Sequence, residues 1–337
     1  MLALVTGGAG FIGSHLCEKL LAEGHHIIAV DDLNDSYSPD LKRANLESVR
    51  GSGPLRFHQC DICDGGRLFD ILEAERPDVA VHLAGRVGVR ASLKEPSLYE
   101  RVNVGGTLNL LEACRRHGVP KFIFGSSSSV YGAASRFPSS EDDHNLLPIS
   151  PYAATKLAAE KLCYTYAYLY GIQVICLRFF TVYGPRQRPD LAIRRFTDMI
   201  DIGEPIPVYG DGSSARDYTY VEDIVQGIMA SLTYETDYDV FNLGNSHPVQ
   251  LRTVVAMLEE RLRKPARIER LPPQPGDAPV TCADISKARR YLNYSPQVSL
   301  ADGLDRFVRW YRSQQVSGSP RLAEGKPEMR ARALSWT

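Results

Sequence analysis

The segment Leu2-Ala3-Leu4-Val5-Thr6-Gly7-Gly8-Ala9-Gly10-Phe11-Ile12-Gly13 decides the fold of this chain. It begins with an apolar run of strand length. The glycines follow, and after them the apolar residues Leu16, Leu20 and Leu21 recur at helical spacing. This order predicts a strand, a glycine-rich turn and a helix.

The three spaced glycines have separate expected roles. Gly7 permits a tight turn, Gly10 lets the backbone approach a pyrophosphate, and Gly13 lets the helix pack close to the strand. The helix N-terminus adds amide groups and positive potential, which suit an anion. The spacing differs from Gly-x-Gly-x-x-Gly, and a glycine triplet alone also occurs in ordinary loops. Between a strand and a helix, it predicts a dinucleotide-binding site.

The next strand indicates which dinucleotide binds. His26-Ile27-Ile28-Ala29-Val30 predicts this strand, and Asp31 and Asp32 stand at its end. An acid at this point accepts hydrogen bonds from both hydroxyls of the adenosine ribose and repels a 2′-phosphate, which favours NAD over NADP. Asp31 is the first candidate, whereas Asp32 is either a second ribose partner or a solvated acid of the turn.

Composition and charge are typical of a soluble cytoplasmic enzyme. The chain has 337 residues, 44% hydrophobic and 23% charged, which is enough for a large core in one domain or in two closely packed domains. The formal net charge of -1 gives no reason to expect a nucleic-acid partner. No basic segment precedes Leu2 and no apolar run approaches about eighteen residues, so we expect neither secretion nor a membrane span.

The cysteines are scattered along the chain. Cys60-Asp61-Ile62-Cys63 has the spacing of a redox or metal-binding pair, but no second pair of this spacing accompanies it. We therefore expect structural roles for these cysteines and no metal site.

Strand and helix patterns alternate through the middle of the chain. Further strands are predicted at residues 56–60, 79–85, 121–124 and 174–179, and a helix at residues 108–114. This alternation predicts an α/β fold with a Rossmann-type doubly wound parallel sheet. Proline and glycine become frequent after Phe179, where a smaller α/β substrate-binding domain is expected.

The expected division of the chain has three parts. Residues 1–178 form the NAD-binding Rossmann domain, residues 179–313 the substrate-binding domain and residues 314–337 a C-terminal appendage. Segments around residues 215–245 are candidates to return to the first domain. Within the second domain, the patterns predict a strand at residues 206–209 and helices at residues 221–232 and 251–262.

Tyr152 and Lys156 are candidate catalytic residues. Four apart on a helix, they share one face, so the ammonium favours the ionised phenol and makes it a base at neutral pH. The earlier run Ser126-Ser127-Ser128-Ser129 would supply a hydrogen bond to the alcohol or ketone on which that base acts. Each pattern also has a structural alternative: a surface tyrosine beside a solvated lysine, and serines that only cap a strand. Beside a dinucleotide site, they predict proton transfer coupled to hydride transfer.

The motifs, taken in order, resemble those of the extended short-chain dehydrogenase/reductase family of nucleotide-sugar epimerases and dehydratases. The resemblance covers roughly residues 1–312. The motifs that carry it are Thr6-Gly-Gly-Ala-Gly-Phe-Ile-Gly13, Asp61-Ile62, His82-Leu-Ala-Gly85, Asn103-Val-x-Gly-Thr107, Ser127 with Val130-Tyr-Gly132, Tyr152-x-x-x-Lys156 and Arg216-Asp-Tyr218.

The resemblance implies an NAD that is held tightly and regenerated in every turnover. Tyr152 is then the base, Lys156 contacts the nicotinamide ribose, and Ser127 lies near the sugar oxygen. The cofactor-binding residues that it implies are Gly7, Gly10, Phe11, Ile12, Gly13, Asp31, Asp32, Asn34, Asp61, Ile62, Leu83, Ala84, Gly85, Arg86, Asn103, Tyr152, Lys156 and Phe180.

The residues after Ser127 separate the reactions of this family. In its 4,6-dehydratases, Asp and Glu follow the catalytic Ser or Thr, and its UDP-glucuronate decarboxylases have Glu just before Val-Tyr-Gly. This chain has Ser128 and Ser129 instead. The simplest remaining reaction is 4-epimerisation through a transient 4-keto sugar and NADH, with Ser128 as an additional catalytic residue.

Two further segments indicate the sugar. Gly88-Val-Arg-Ala-Ser92 and residues 178–192 resemble signatures of UDP-glucuronate 4-epimerases, as do Pro275-Gly-Asp277 and Ala283-Asp284. The chain departs from these signatures, since Arg186-Gln187 replaces Trp-Gly and Ala91 replaces Tyr. UDP-glucuronate is favoured as substrate, with UDP-glucose/UDP-galactose as the alternative and a non-catalytic NAD-binding protein as the second.

The resemblance also implies the substrate contacts. Arg216 would bind the diphosphate, Val208 and Tyr209 the uracil, and Asp277 the ribose. The full substrate-binding set is Arg90, Ser127, Ser128, Tyr152, Thr181, Arg188, Arg195, Val208, Tyr209, Arg216 and Asp277. A homodimer is expected through helices around residues 98–114 and 152–170.

Overall fold

The helices and strands alternate as predicted over most of the chain. The computed structural model describes residues 1–133, 137–272, 276 and 278–316. The strands of this part are β1 (Leu2–Thr6), β2 (His26–Asp31), β3 (Leu55–Gln59), β4 (Val79–His82), β5 (Lys121–Ser127), β6 (Gln173–Phe179), β7 (Thr181–Tyr183), β8 (Ile206–Tyr209), β9 (Ala215–Tyr220), β10 (Tyr238–Leu243), β11 (Pro248–Gln250) and β12 (Ile268–Leu271).

The helices follow the strands at short intervals. They are α1 (Phe11–Ala22), α2 (Pro39–Ser52), α3 (Gly65–Glu75), α4 (Val89–Lys94), α5 (Pro96–Tyr99), α6 (Gly106–His117), α7 (Pro151–Tyr170), α8 (Ala192–Ile202), α9 (Val221–Thr233), α10 (Leu251–Leu262), α11 (Ser286–Leu292) and α12 (Leu300–Val316). A π-helical segment, Glu100–Gly105, leads into α6, and a 3-10 turn, Ser128–Tyr131, follows β5.

A parallel sheet of seven strands, in the order β10-β6-β5-β4-β1-β2-β3, lies at the centre of the described residues. The predicted Rossmann-type doubly wound sheet is therefore confirmed. β1 pairs with β2 on one side and with β4 on the other, so the winding direction reverses beside β1. Ligands of such sheets bind at this reversal, outside the carboxyl ends of the strands.

Helices cover both faces of this sheet. On β1, Ala3 and Val5 pack on the face covered by α1 and α9, and Leu4 packs on the opposite face, covered by α3, α6 and α7. Alternating side chains thus enter two separate cores, as expected for a parallel strand buried on both faces.

The smaller part of the fold has its own core. It contains a three-stranded sheet, β11-β9-β7, and a two-stranded sheet, β12-β8. Apolar residues of α8, α10 and α12 pack with them, including Phe196, Leu258 and Phe307.

The chain passes between the two parts more than once. α9 packs on the large sheet and β10 pairs with β6, whereas β9 lies in the three-stranded sheet. α12 runs to Val316 and so includes Gln314, where the appendage was expected to begin. Among the described residues, no helix is long and apolar enough to cross a membrane.

Candidate active site

The glycine turn between β1 and α1 forms a cradle with little free space. Gly7 has φ +71°, and its N–H donates to the Val30 carbonyl at 2.8 Å. A Cβ on Gly13 would lie 2.1 Å from the Gly7 carbonyl oxygen, and one on Gly10 would lie 3.0 Å from it. Gly13 therefore lets the helix pack against the turn itself.

The start of α1 offers main-chain donors to an anion. Gly10 is its N-cap and contributes no side-chain hydrogen bond, so the amides of Phe11 and Ile12 have neither a side-chain cap nor an intrahelical acceptor. The side chains of these two residues face inward instead, into the apolar cores. The cradle and its amides fit the pyrophosphate of a dinucleotide.

Asp31 faces this turn from the end of β2. Its carboxylate accepts the Ala9 N–H at 3.2 Å and the Leu33 N–H at 2.9 Å. Burial raises the pKa of Asp31, opposed by the Lys42 ammonium 3.9 Å away. The geometry favours Asp31 as the ribose acceptor.

Asp32 lies in a local turn. One carboxylate oxygen accepts hydrogen bonds from the main-chain N–H of Asn34, at 3.0 Å, and from its side-chain amide, at 2.6 Å. This arrangement corresponds to the alternative in which Asp32 is an acid of the turn.

The loop after β4 lies directly beside the glycine turn. A Cβ on Gly7 would come within 2.8 Å of the Ala84 nitrogen, and the loop continues through Gly85 to Arg86. Asn103 holds it in place: its side chain accepts the Arg86 N–H at 2.7 Å and donates to the Arg86 carbonyl at 3.0 Å and to the Thr155 hydroxyl at 3.1 Å. These bonds use the Asn103 amide to position the loop.

Some predicted cofactor residues have buried or locally bonded side chains. The Ile62 side chain packs so closely against Gly106 that a Cβ added to Gly106 would lie 2.6 Å from it. Phe180 is buried, with 5% of its surface exposed. Leu83 packs against the sheet core. Asp61 accepts the Cys63 N–H at 2.9 Å within its own turn.

The two closely spaced cysteines are free thiols. Cys60 donates to the Asp61 carbonyl and Cys63 to the Arg101 carbonyl. Burial raises the pKa of each thiol to about 11. No cluster of His, Cys, Asp or Glu suited to a metal ion occurs in the described part of the chain.

The serine run and the tyrosine meet at the carboxyl end of β5. Ser126 and Ser127 belong to the strand, and the Ser127 hydroxyl caps the 3-10 turn by accepting the Ser129 N–H at 3.2 Å. The Ser127 hydroxyl donates to the Ser129 hydroxyl at 3.1 Å, and Ser127 also neighbours Tyr152, which is 7% exposed. Burial raises the pKa of Tyr152, and Ser127 and the charge of Arg188 oppose this rise.

Lys156 is buried and hydrogen-bonded to the strand that leads into the serine run. Its ammonium donates to the Gly125 carbonyl at 2.8 Å and lies 4.8 Å from the centre of the Phe124 ring. Burial lowers the pKa of Lys156 to about 8. Ser127 and Arg188 act to lower the Tyr152 pKa, and the effect of Lys156 on this phenol stays a prediction.

Sequence reasoning missed a buried ion pair under this site. Glu160 accepts two hydrogen bonds from Arg178, at 2.9 and 2.8 Å, and one from Ser126, at 2.6 Å. Arg178 also donates to the Tyr131 hydroxyl at 2.9 Å. The pair joins α7, β5, β6 and the 3-10 turn, and α7, β5 and the turn carry predicted site residues. The sequence feature that could have indicated this pair is Glu160, which stands one helical turn after Lys156.

The predicted uracil and sugar contacts form a second cluster. The Arg90 guanidinium lies 3.9 Å from the centre of the Tyr209 ring. Burial lowers the pKa of Arg195, which interacts with the same ring and with Arg90. The Tyr209 hydroxyl is buried and has no hydrogen-bond partner among the described residues, which leaves it available to a ligand.

The remaining predicted substrate residues lie on several elements. Val208 packs into the smaller core and borders a cavity of about 230 Å³, and Thr181 begins β7. Arg216 donates to the Ala215 and Pro279 carbonyls and has no ion-pair partner within the described ranges. Asp277 lies outside the described residues.

Arg188, the last of the predicted substrate residues, interacts with Tyr152 and with residues near the end of β2. It forms a bidentate pair with Asp190, at 3.0 and 2.7 Å, and its guanidinium lies 5.6 Å from the centre of the Tyr37 ring. Its charge also acts on Tyr152. Arg188 therefore links the acidic end of β2 with the candidate base.

Comparison with known proteins identifies the family. Residues 3–244 match the NAD dependent epimerase/dehydratase family. The UDP-glucuronate 4-epimerase of Thermodesulfobacterium geofontis is 45% identical over 91% of this chain and 95% of its own length.

Two solved structures have the same fold. One is the UDP-glucuronic acid 4-epimerase of Bacillus cereus with UDP-glucuronic acid and NAD, with a TM-score of 0.87, 39% identity and coverage of 93% and 99% of the two chains. The other is the UDP-glucose 4-epimerase of Thermotoga maritima with UDP-glucose, with a TM-score of 0.86, 34% identity and coverage of 94% and 100%. The chain belongs to the NAD-dependent epimerase/dehydratase family.

Proposed function

We propose that this protein is a UDP-glucuronate 4-epimerase that interconverts UDP-glucuronate and UDP-galacturonate. The observation that carries the proposal is the position of Ser127 next to the buried Tyr152, at a strand-end turn that contains serines and no acid. The 45% identity to a relative of that name supports the choice of sugar.

The chain's own residues suit proton transfer at the sugar C4 hydroxyl. NAD, when bound in the cradle, supplies a hydride acceptor and donor for C4. Tyr152 takes the hydroxyl proton and later returns it, while Ser127 holds the same oxygen by a hydrogen bond. Arg216 binds the diphosphate, about which the sugar turns so that its other face meets the cofactor. Arginine suits this role because its planar group donates parallel hydrogen bonds to phosphate oxygens.

The absence of an acid beside Ser127 determines the outcome. Elimination of water requires an acid and a base at neighbouring carbons, and Ser128 and Ser129 provide neither at neutral pH. The 4-keto sugar is therefore expected to return to an alcohol rather than to lose water.

A uronic acid adds a further requirement. Its 4-keto form is a β-keto acid, which loses carbon dioxide when the bond to the carboxylate lies parallel to the carbonyl π orbitals. We propose that Ser128 and Thr181, assisted by Arg90, hold the carboxylate away from this alignment. The neutral hydroxyl groups donate hydrogen bonds without adding negative charge to the pocket.

Product analysis tests the function directly. Purified protein is incubated with UDP-glucuronate without added NAD, and the nucleotide sugars are separated. UDP-galacturonate as the main product supports the proposal, whereas no conversion, or a pentose product, contradicts it. Tyr152→Phe serves as the inactive control and is expected to lose about 100-fold to 10,000-fold in rate.

A neutral UDP-hexose is the alternative substrate. The structural likeness to the Thermotoga maritima UDP-glucose 4-epimerase keeps this alternative in the test. UDP-glucose is therefore offered separately, and faster conversion of UDP-glucose than of UDP-glucuronate would reverse the assignment.

We further propose that the protein is a homodimer of the cytoplasm. Large apolar side chains of α7 are exposed, with Tyr168 at 78% and Leu169 at 57%, and Leu108 is exposed on α6. Exposed large apolar side chains on these helices favour an interface at this face. All seven cysteines are free thiols, which fits a reducing compartment.

A further inference from the structure

The loop between β7 and α8, residues 184–191, is fixed at its centre to the smaller part of the fold. The Gln187 side chain donates to the Val182 carbonyl at 3.1 Å and accepts the Arg194 N–H at 3.1 Å. Gln187 is 4% exposed. The two arginines that flank Gln187 both contact the NAD-binding part.

Arg186 forms a bidentate ion pair with Glu18 of α1, at 2.8 and 2.6 Å. Ser48 of α2 donates to the same carboxylate at 2.6 Å. Both side chains of the pair are largely buried, at 13% and 25% exposure. The pair therefore ties the loop to the helix that begins at the glycine turn.

The backbone of Arg186 is a second, independent observation. Its φ is +63°, in the left-handed region that residues other than glycine rarely adopt. Such a conformation persists where surrounding contacts hold it in place, and it occurs preferentially at functional sites. At this residue, the ion pair with Glu18 anchors the side chain.

The other flanking arginine, Arg188, interacts with groups at both ends of the predicted cofactor site. The Arg188 guanidinium lies over the ring of Tyr37, whose pKa is raised mainly by burial and in part by the charge of Asp31. The charge of Arg188 also acts to lower the pKa of Tyr152. The predicted NAD contacts extend from the acid at the end of β2 to Tyr152. Arg188 therefore connects the loop with groups at both ends of the predicted site.

We propose that the Arg186–Glu18 ion pair is a latch that holds the 184–191 loop across the NAD site and thereby sets how long NAD stays bound. The proposal deepens the proposed function, since it concerns retention of the cofactor on which that function rests. Arg186 is a positioning residue, because it acts through the loop that carries Arg188. The Trp-Gly of the related signature could not form this pair, so the latch belongs to this chain's own Arg186.

The test measures the release of NAD. Full-length protein is loaded with isotopically labelled NAD, freed of unbound cofactor and mixed with excess unlabelled NAD, and the label that stays bound is followed over time. Glu18→Gln and Arg186→Gln are each expected to accelerate release by about tenfold, as for the loss of one charge-assisted hydrogen bond. The double variant should release NAD no faster than either single variant, since both changes break one interaction.

Matched variants separate retention from stability. Glu222→Gln breaks the exposed pair between Arg306 and Glu222 and should leave the release rate unchanged. The Arg186→Gly variant loses the ion pair, so it should release NAD as fast as the Glu18→Gln variant. Because glycine readily adopts the left-handed backbone conformation, its melting temperature should fall less than that of Glu18→Gln.

Three results would overturn the latch. In the first, the single variants release NAD at the rate of the wild type. In the second, the double variant accelerates release by the product of the two single effects. In the third, the wild type loses its labelled NAD within the mixing time. The assay needs no UDP-sugar. A wild type that retains NAD but does not epimerise UDP-glucuronate would therefore refute the proposed function and leave the latch standing.

Discussion

Tyr152 occupies a position that by itself disfavours the phenolate. Burial raises the pKa of the phenol because the charged form loses its hydration. Two groups act in the other direction, the hydroxyl of Ser127 and the charge of Arg188. The base therefore depends on neighbours from β5 and from the 184–191 loop, which lie far from it in sequence.

The dependence on Ser127 predicts a change in the pH profile. The base acts only when deprotonated, so activity rises as pH passes upward through the Tyr152 pKa. Ser127→Ala removes a hydroxyl that lowers this pKa, and the rising limb of kcat/KM should move to higher pH. At pH 7 the rate should fall by about 100-fold or more, because the oxygen of the substrate also loses its donor.

The control for this measurement is Thr165→Ala, a hydroxyl removed from the exposed side of α7. Its profile should match that of the wild type. A Ser127→Ala profile that falls in height without moving along the pH axis would mean that Ser127 does not set the Tyr152 pKa.

Local patterns predicted the residues that lie on one element and missed partners that are distant in sequence. Tyr152 was found because its spacing from Lys156 is a local feature. The acceptor of Lys156, the Gly125 carbonyl, is 31 residues away, and Glu18 is 168 residues from Arg186. Such pairs are decided by which elements the fold brings together, and periodicity carries no information on that.

At the scale of elements, the junction of β1 and α1 has almost no room for added volume. Gly13→Ala would place a methyl group 2.1 Å from the Gly7 carbonyl oxygen, which is main chain and has little room to move. The turn must shift, so NAD binding, measured by calorimetric titration, should weaken by about tenfold or more, since each 1.4 kcal/mol of misfit corresponds to a factor of ten.

Gly51 provides the matched control for that substitution. It lies in α2, and a Cβ there would meet nothing within 4 Å. Gly51→Ala should leave NAD affinity unchanged and raise the free energy of unfolding by up to about 1 kcal/mol through helix propensity. Equal NAD affinities for Gly13→Ala and Gly51→Ala would contradict the cradle.

The ion pair of Glu160 and Arg178 is the main polar connection between the elements of the site. Both side chains are almost fully buried, at 1% and 5% exposure. Glu160→Ala leaves the guanidinium without its charge partner and should lower the free energy of unfolding by about 3–5 kcal/mol, measured by urea denaturation.

A second variant shows whether charge or packing is responsible. Glu160→Leu combined with Arg178→Leu should be more stable than Glu160→Ala, since neither charge is then buried alone. Glu23→Gln, which breaks an exposed pair with Lys19, should change stability by less than about 1 kcal/mol. A Glu160→Ala variant as stable as Glu23→Gln would refute this account.

The strands and helices for which the sequence predicted a range lie within a few residues of the observed ones. The helix predicted at residues 251–262 is α10, Leu251–Leu262, and the strand predicted at residues 174–179 lies within β6. Their apolar runs are local and strong. The partner strands were not predictable, because β10 joins β6 only after the intervening chain has built other sheets.

At the scale of the whole molecule, the exposed face of α7 predicts the assembly state. Substitution of Tyr168 and Leu169 by Glu places charges on the expected interface and should convert a dimer into a monomer, measured by light scattering. Tyr291→Glu, at another exposed aromatic residue on α11, is the control and should remain dimeric. A monomeric wild type would show that α7 is not an interface.

The late return of β10 bears on how the chain is made. While residues 180–237 leave the ribosome, β6 has β5 on one side and no partner on the other, and its main-chain N–H and C=O groups form an open edge. An unpaired apolar strand of this kind recruits other nascent chains. Synthesis of this protein therefore passes through an interval of exposure that closes only when residue 243 has emerged, and a pause in translation within that interval would favour aggregation.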